Sequence, residues 1–545
     1  MIDRARGGRI GLIFVALAVL HTWPLASAPH RLSLNHNADA QLNAWIVSWI
    51  AHTLPTHPGA FWQGNIFQPG EQALTFSEPL IIPALLGAPV AWLGGSPVLV
   101  FNLLLIAGLA ATGLAGWWVV TRWTGSTRAG LVAGALLAFN PHLLTRLPHL
   151  QAAHAWGLIL VCYFADRALR QRGRWWPLLI LWPLVAGTSL HWLLFAAGAV
   201  VLLALATGRT LGGLTRLAVA TAGGAVLALP VLWPHLTRGV RRPLEMVADF
   251  SATPAGYLTS MSRMHQDWTA RFFTTDIDVF FPGVAALVLA AVGIVSSRAK
   301  ARDLHYAALG PQDPRTPGPQ DLVPWLLGLA AAGVVLSLGT ATPIYAWLYE
   351  VLTPLQGIRA AARFGIWYLL AVAVLAGFGV AWLERRVRLA FVPWLITACV
   401  AAVTLENVMA PIRTTPYQGP PAVYSLLAEA EAPVLLAEFP FWPADAVFEN
   451  GEYVLNAASH WQPIVNGYSG VTPMSYRERA RTLWFFPDQE AVDILLRLGA
   501  THAMVHLERF GADAPAVVRA LENRPALRLV AADRDGHRLY RLVRE

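Results

Sequence analysis

The sequence predicts a mainly α, polytopic membrane protein that carries a small C-terminal α/β domain. Three observations predict it. Of the 545 residues, 56% are hydrophobic and only 13% are charged, against roughly 25% charged in soluble globular chains. Apolar runs recur from residue 10 to residue 410, and about 20 such residues cross a bilayer. From about residue 411 the composition turns to the mixed pattern of a soluble domain. The expected division is a transmembrane domain over 1–410, with a first outer loop at 28–78, and an extracytoplasmic α/β domain over 411–545.

The N-terminal MIDRARGGR, followed by IGLIFVALAVL and ASA, reads either as a signal peptide or as a retained first helix; the many spans that follow favour retention. Crossings are expected near 10–27, 97–121, 128–144, 152–169, 174–189, 191–208, 213–236, 279–297, 322–340, 363–384 and 388–410. That is about 11 helices, within a range of 11–13. The pair 174–189 and 191–208 forms a tight hairpin broken around Gly187, Thr188 and Ser189. Segment 79–95 is short and carries Pro83 and Pro89, so it reads as re-entrant or interfacial.

With that segment not crossing, the basic clusters fall on one side: Arg4, Arg6 and Arg9; Arg122 and Arg128; Arg167, Arg170, Arg172 and Arg174; Arg209 and Arg216; Arg298, Lys300 and Arg302; Arg385, Arg386 and Arg388. Lys and Arg mark cytoplasmic ends, so the C-terminal domain is expected outside. The loop 237–278 carries five arginines on the outer side; it is long and amphipathic, where the rule weakens. Residues 303–321, with GPQDPRTPGPQD, read as a flexible cytoplasmic linker. In the C-terminal domain PAVYSLLAEAEA reads as a helix and PVLLAEF as a buried strand. Residues 475–484, 488–498 and 514–523 read as helices, and THAMVHL, LRLVAAD and HRLYRLV as strands.

A formal charge of +8 and a pI near 9.8 would suit nucleic acid. The basic residues lie in short clusters between apolar runs, where they set orientation, so no nucleic-acid partner is expected. Two Cys and no CxxC speak against a disulfide framework and against a Cys/His structural zinc site. Three outer segments, 28–78, 237–278 and 341–362, are too long for plain connectors and are rich in Trp, Phe and Pro, which points to function rather than disorder.

The first outer loop is the most informative stretch. In NHNADAQLNAWIVSWIAHTL, residues 38–54 make an amphipathic helix in which Asp39 and Asn43 share a face, as do Trp45 and Trp49. The helix is expected to lie on the membrane surface. Asp39 is either a helix N-terminal acid or a reactive carboxylate. Glu78, at the end of the loop, is a second candidate acid. Arg359 and Arg363, in QGIRAAARF, are four apart and are expected on one helical face at the mouth of a span, suited to phosphate or to lipid head groups. Arg146 and His149, in TRLPHLQ, sit at an outer helix end and would line the same cavity; His191 reads as structural. Asp276 and Asp278, in TTDIDVFFPG, form a DxD that is a candidate metal site or a helix cap. Trp461, Asn466 and Tyr468 are candidate saccharide contacts or parts of a packed loop.

The stretch DAQLNAWIVSW directly after a first helix, followed by NIFQP and SEPL, resembles the first outer loop of bacterial GT-C-type membrane glycosyltransferases. RLPHLQAAHAW, FSATPAGYL, FFPG, IRAAARFGIWYLLAVAVLAGFGVAW and SHWQPIVNGYSG resemble further landmarks of one poorly characterised bacterial branch, distant from protein O-mannosyltransferases, oligosaccharyltransferases and aminoarabinose transferases. The resemblance covers nearly the whole chain and rests on the order of the motifs. It implies a GT-C-like multi-spanning fold, a polyprenyl-phosphate-linked sugar as donor and an acid in the first outer loop, here Asp39. The chain departs from better known members: Ala38 and Ala40 flank that acid, and no His-Pro-Pro element follows. A divalent metal is therefore left open as a cofactor.

One acid suffices for such chemistry. A sugar phosphate has a good leaving group, so the transition state needs a base for the acceptor hydroxyl and cations for the phosphate. Glycoside hydrolysis, in contrast, normally uses two carboxyl groups. The expected function is inverting sugar transfer to an extracytoplasmic glycan, lipid or protein acceptor at the bacterial cytoplasmic (inner) membrane, with membrane lipids and the lipid-linked sugar as partners. The alternatives are a transporter or flippase for a lipid-linked saccharide and a non-catalytic binder of cell-envelope glycan. Coupled carriers keep ionisable groups in mid-membrane; here Asp166 and Glu384 lie at span ends, which favours the enzyme over a coupled carrier.

Overall fold

The computed structural model describes residues 4–70, 72–207, 210–298, 321–386 and 392–543. The linker read at 303–321, apart from Asp321, lies outside the described residues, as do Arg209, Lys300, Arg302 and Arg388. The chain forms two compact units: Met1–Ser27 with Leu105–Ile412, and Ala28–Leu104 with Arg413–Glu545.

The first unit is helical. Each of the eleven segments read as crossings coincides with a helix. By length and composition Pro97–Thr124, Leu211–Arg238 and Ala361–Arg386 suffice to cross a membrane, and the others are shorter apolar helices such as Pro177–Thr188, Leu190–Ala206, Val284–Ser297 and Val323–Ser337. Helices suit a bilayer because they satisfy their own backbone polar groups. Their starts are fixed locally. Ser126 Oγ accepts from the Ala129 N–H at 3.0 Å, and Ser189 Oγ from the Trp192 N–H at 3.3 Å. Ser189 is also the single extended residue between Pro177–Thr188 and Leu190–Ala206, so the expected break falls there.

Helices Val284–Arg298 and Gly365–Arg386 cross closely. A methyl group on Gly293 would strike the carbonyl of Leu375, and one on Gly379 the carbonyl of Leu289. Small residues permit such backbone approach where lipid supplies no hydrophobic drive between helices. Ion pairs group the basic clusters at helix ends: Arg128 binds Glu384 at 3.0 Å, and Arg170 reaches Asp321 at 3.4 Å. Two of the sequence landmarks also meet in this unit. The Phe280 N–H donates to Gly256 O at 2.9 Å and the Phe281 N–H to Thr259 O at 3.0 Å, so the FFPG stretch is laid against FSATPAGYL.

The second unit is α/β. A two-residue antiparallel ladder joins β1 (Leu32–Ser33) to β2 (Thr415–Pro416). The four expected strands form one sheet, β3 (Leu436–Phe439), β4 (His502–His506), β5 (Leu527–Ala532) and β6 (His537–Leu542), in the order β3-β4-β6-β5. β3 and β4 run parallel; β6 is antiparallel to both β4 and β5. β3 is buried along its whole length, as an apolar run without alternation predicts. The expected helices appear as Met474–Leu483, Gln489–Leu498 and Ala514–Glu522. PAVYSLLAEAEA is helical only over 422–428. The helices Ala38–Thr56 and Ile81–Trp92 belong to this unit, the second being the short segment with Pro83 and Pro89.

Candidate functional site

In the second unit the helix Ala38–Thr56 carries Asp39 in its first turn. Its cap is Asn37, whose Oδ1 accepts from the Asp39 N–H at 2.9 Å. The carboxylate of Asp39 is therefore not the cap, though it lies at the positive end of the helix. It is half-buried, and its Oδ1 accepts from the Tyr468 hydroxyl at 2.9 Å. Two residues singled out separately in the sequence thus form one hydrogen-bonded pair. Asn43, one turn on, and Glu78 are both buried.

The expected surface-lying helix is instead buried over most of its length. Trp45 and Trp49 face inward because their indole N–H groups find acceptors, Asn65 Oδ1 at 2.9 Å and Phe61 O at 3.0 Å. Trp461 adopts a left-handed backbone, φ 58°, at the end of the helix Gly451–His460, a conformation uncommon for a bulky residue. Its ring stacks on His52 with centroids 4.1 Å apart. Asn466 is fully buried. Its Oδ1 accepts from the Glu438 N–H at 2.7 Å and its Nδ2 donates to Glu438 O at 3.0 Å, so both ends of the amide continue the edge of β3.

The first unit contains a cavity of about 40 Å³ lined by His142, Arg146, His149, Gln151, His191 and Arg363, with Ser189, Trp192, Phe195 and Ile366 among the rest. Among the described residues this lining holds two arginines, three histidines and no carboxylate. Arg363 Nη1 donates to His191 Nε2 at 2.7 Å. A guanidinium can only donate, so Nε2 accepts. Arg146 meets Asp276 at 3.2 Å, and the His142 ring stacks on Phe280 at 4.7 Å.

Arg146, His149 and Arg363 thus share one cavity, as the sequence led us to expect for the first two. Arg359 does not join them on a helical face. The chain is a 3-10 turn over Ala361–Phe364 and the α-helix starts only at Gly365, so the four-residue spacing carries no common face. The Arg359 guanidinium instead lies 4.6 Å above the Phe250 ring. His191, which reads as structural in the sequence, and His142 line the cavity as well; neither carries a signal in the sequence beyond a lone His in an apolar run.

The DxD carboxylates have separate partners. Asp276 is exposed beside Arg146. Asp278 is buried and accepts from the Thr253 N–H at 3.1 Å, the Thr253 hydroxyl at 2.6 Å and the Thr274 hydroxyl at 2.8 Å. It pins the 253–256 turn, and a metal there would have to displace these bonds.

No protein-family model matches the sequence, and no curated protein matches it. Solved structures do. An arabinofuranosyltransferase, AftD, from Mycobacteria is 14% identical over 100% of this chain and 40% of its own, at TM-score 0.60. The oligosaccharyltransferase of Archaeoglobus fulgidus is 13% identical over 99% of this chain and 74% of its own, at TM-score 0.48. ArnT from Cupriavidus metallidurans is 14% identical over 99% of each chain, at TM-score 0.39. The chain spans about two fifths of the length of the mycobacterial protein, on which the fold assignment rests. The protein is a mainly helical membrane protein with a GT-C-type fold.

Proposed function

We propose that the protein is an integral membrane glycosyltransferase that transfers a sugar from a polyprenyl-phosphate donor to an extracytoplasmic acceptor, with inversion. The observation that carries the reading is the cavity whose described lining gathers Arg146, Arg363, His142, His149 and His191 without a carboxylate. Its volume of about 40 Å³ is that of roughly three waters. That volume takes phosphate oxygens, and planar guanidinium groups bind phosphate by paired hydrogen bonds. In this reading Arg363 and Arg146 stabilise the departing phosphate. Asp39 is the base for the acceptor hydroxyl, with Tyr468 orienting it and Glu78 the second candidate acid. A direct displacement assisted by one base inverts the anomeric carbon.

The reading also takes the clustered arginines at the helix ends as cytoplasmic. Residues from about 411 then lie outside a bacterial cytoplasmic membrane. The resemblance to GT-C folds supports the activity class.

The test is turnover by the purified full chain of a panel of undecaprenyl-phosphate pentoses and hexoses, with release of undecaprenyl phosphate as the readout. Asp39→Asn should lower kcat by about 100-fold or more, the range for removing a general base. Arg363→Gln should weaken binding of undecaprenyl phosphate by about 10- to 100-fold, the loss of one or two charged hydrogen bonds. An Asp39→Asn variant at full rate would remove the base from the mechanism. Movement of the intact lipid across vesicles without turnover would favour the flippase.

A further inference from the structure

Away from these residues, β4 and β6 of the α/β unit bring together two histidines and a glutamate that the proposed reaction does not use. His506 ends β4 and His537 begins β6, and the two are register partners across the antiparallel pair. Glu508 follows two residues after His506, at the start of a 3-10 segment. Glu508 Oε1 lies 3.9 Å from His506 Nδ1 and 3.6 Å from His537 Nε2.

The opposite ring nitrogen of each histidine is held by a different carboxylate. His506 Nε2 is 2.8 Å from Glu438 Oε2, and His537 Nδ1 is 2.8 Å from Asp533 Oδ2. Both carboxylates are themselves fixed. The Tyr424 hydroxyl donates to Glu438, and Asp533 Oδ1 accepts from the N–H groups of Asp535 and His537. In a metal-ligating histidine the outer ring N–H donates to such a carboxylate and the other nitrogen's lone pair faces the metal. In that tautomer two lone pairs and a carboxylate oxygen lie within 4.8 Å of one another, an arrangement that suits a cation. Arg509 is close by, but it is engaged with Glu452 and lies 5.0 Å over the Tyr453 ring.

We propose that His506 Nδ1, His537 Nε2 and Glu508 Oε1 bind a divalent transition-metal ion, zinc by ligand type, with Glu438 and Asp533 as the carboxylates behind the histidines. Imidazole and carboxylate ligands suit zinc. Ligands at zinc distances of about 2.0–2.2 Å stand about 3.4 Å apart at the corners of a tetrahedron. Closing the 3.6 and 3.9 Å separations, and the separation of the two histidine nitrogens from at most 4.8 Å, completes the site. Glu508, with 47% of its side chain exposed, supplies its share of that movement. Solvent reaches the site through it, so the fourth position takes water. The metal would tie the β6 hairpin to β4. The proposal stands independently of the transferase reading.

The test uses the full chain in detergent, with any polyhistidine tag removed, stripped with chelator and titrated with Zn²⁺ and Co²⁺. One equivalent should bind, Co²⁺ should give the visible absorption of a four- or five-coordinate site, and chelator should lower the melting temperature. Glu508→Gln, at the rim, should abolish the Co²⁺ spectrum while the stripped variant melts as the stripped parent does, and His537→Ala should abolish the spectrum as well. Asp533→Asn, which leaves all three ligands in place, should weaken Zn²⁺ about 10- to 100-fold, as loss of a partner behind a metal-bound histidine does. If the parent shows no Co²⁺ spectrum, or if parent and Glu508→Gln/His537→Ala double variant bind Zn²⁺ alike, the site does not exist.

Discussion

Two polar clusters of this protein use similar residue types to opposite ends. In the helical unit, Arg146, Arg363 and three histidines surround open volume, and no carboxylate appears among the described residues of the lining. In the α/β unit, Tyr424, Glu438, Asn450 and Asn466, each at most 1% exposed, close on one another through hydrogen bonds of 2.7–3.3 Å. The first gathers guanidinium and imidazole groups where water or a ligand can enter, with Arg146 paired to Asp276 at its edge. The second satisfies donors with internal acceptors and fixes the edge of β3. Polarity around volume therefore points to binding, and polarity without volume points to stability.

The sharpest way to break this comparison is Asn466→Leu. The variant leaves the buried N–H and C=O of Glu438 without the two bonds that Asn466 makes. Each unsatisfied buried group costs about 1–3 kcal/mol, so unfolding should become easier by about 4 kcal/mol in denaturant melts of the full chain. Turnover per folded molecule should not change. Arg363→Gln should behave the other way round, losing lipid-phosphate affinity with little change in melting. A variant at 466 that melts like the parent would show that the closed cluster does not carry stability.

The next effect sharpens the stability half through pH. His460 is 3% exposed and its ring stacks on Tyr424 at 5.3 Å. Its Nδ1 accepts from the Gln462 N–H at 3.0 Å. Burial holds its pKa down at about 4, whereas the unfolded chain titrates near 6.5. Between those values the unfolded state binds a proton that the folded state does not. The contribution is therefore complete above about pH 6.5 and is lost as pH falls towards 4, by about 3 kcal/mol in all. His460→Gln should flatten the stability–pH profile over that window. An unchanged slope would mean that other groups carry the acid sensitivity.

Much of the fold was legible because it is local. Apolar length placed the helices, and the unalternating PVLLAEF run placed a buried strand. Of the basic residues singled out at helix ends, Arg146 lines the cavity, and Arg363 lines it from a 3-10 turn. What escaped was set by contacts far apart in sequence. Trp45 and Trp49 read as interfacial because indoles gather at membrane surfaces, yet Asn65 and Phe61 draw both inward. The spacing of Arg359 and Arg363 presupposed a helix that begins only at Gly365. His191 gains meaning from Arg363, 172 residues away, and the facing of His506 and His537 depends on a strand register that no spacing in the chain announces.

The smallest effect concerns a contact that fits neither class, the 2.9 Å hydrogen bond from Tyr468 to Asp39, 429 residues apart in sequence. Both residues are only half-buried, so the bond adds less stability than the closed cluster, and it engages a carboxylate that the mechanism needs. Tyr468→Phe keeps the ring and removes the donor. If Tyr468 is a positioning residue for the base, kcat should fall about tenfold, equivalent to about 1.4 kcal/mol and close to the low end for a hydrogen bond to a charged group. KM for the donor should move little, because the phosphate contacts are untouched. A purely structural bond predicts the reverse: a lower melting temperature with kcat unchanged. Measured beside Asp39→Asn, the variant separates the two: kcat preserved in Tyr468→Phe but lost in Asp39→Asn would leave the base in place and take its orientation away from Tyr468.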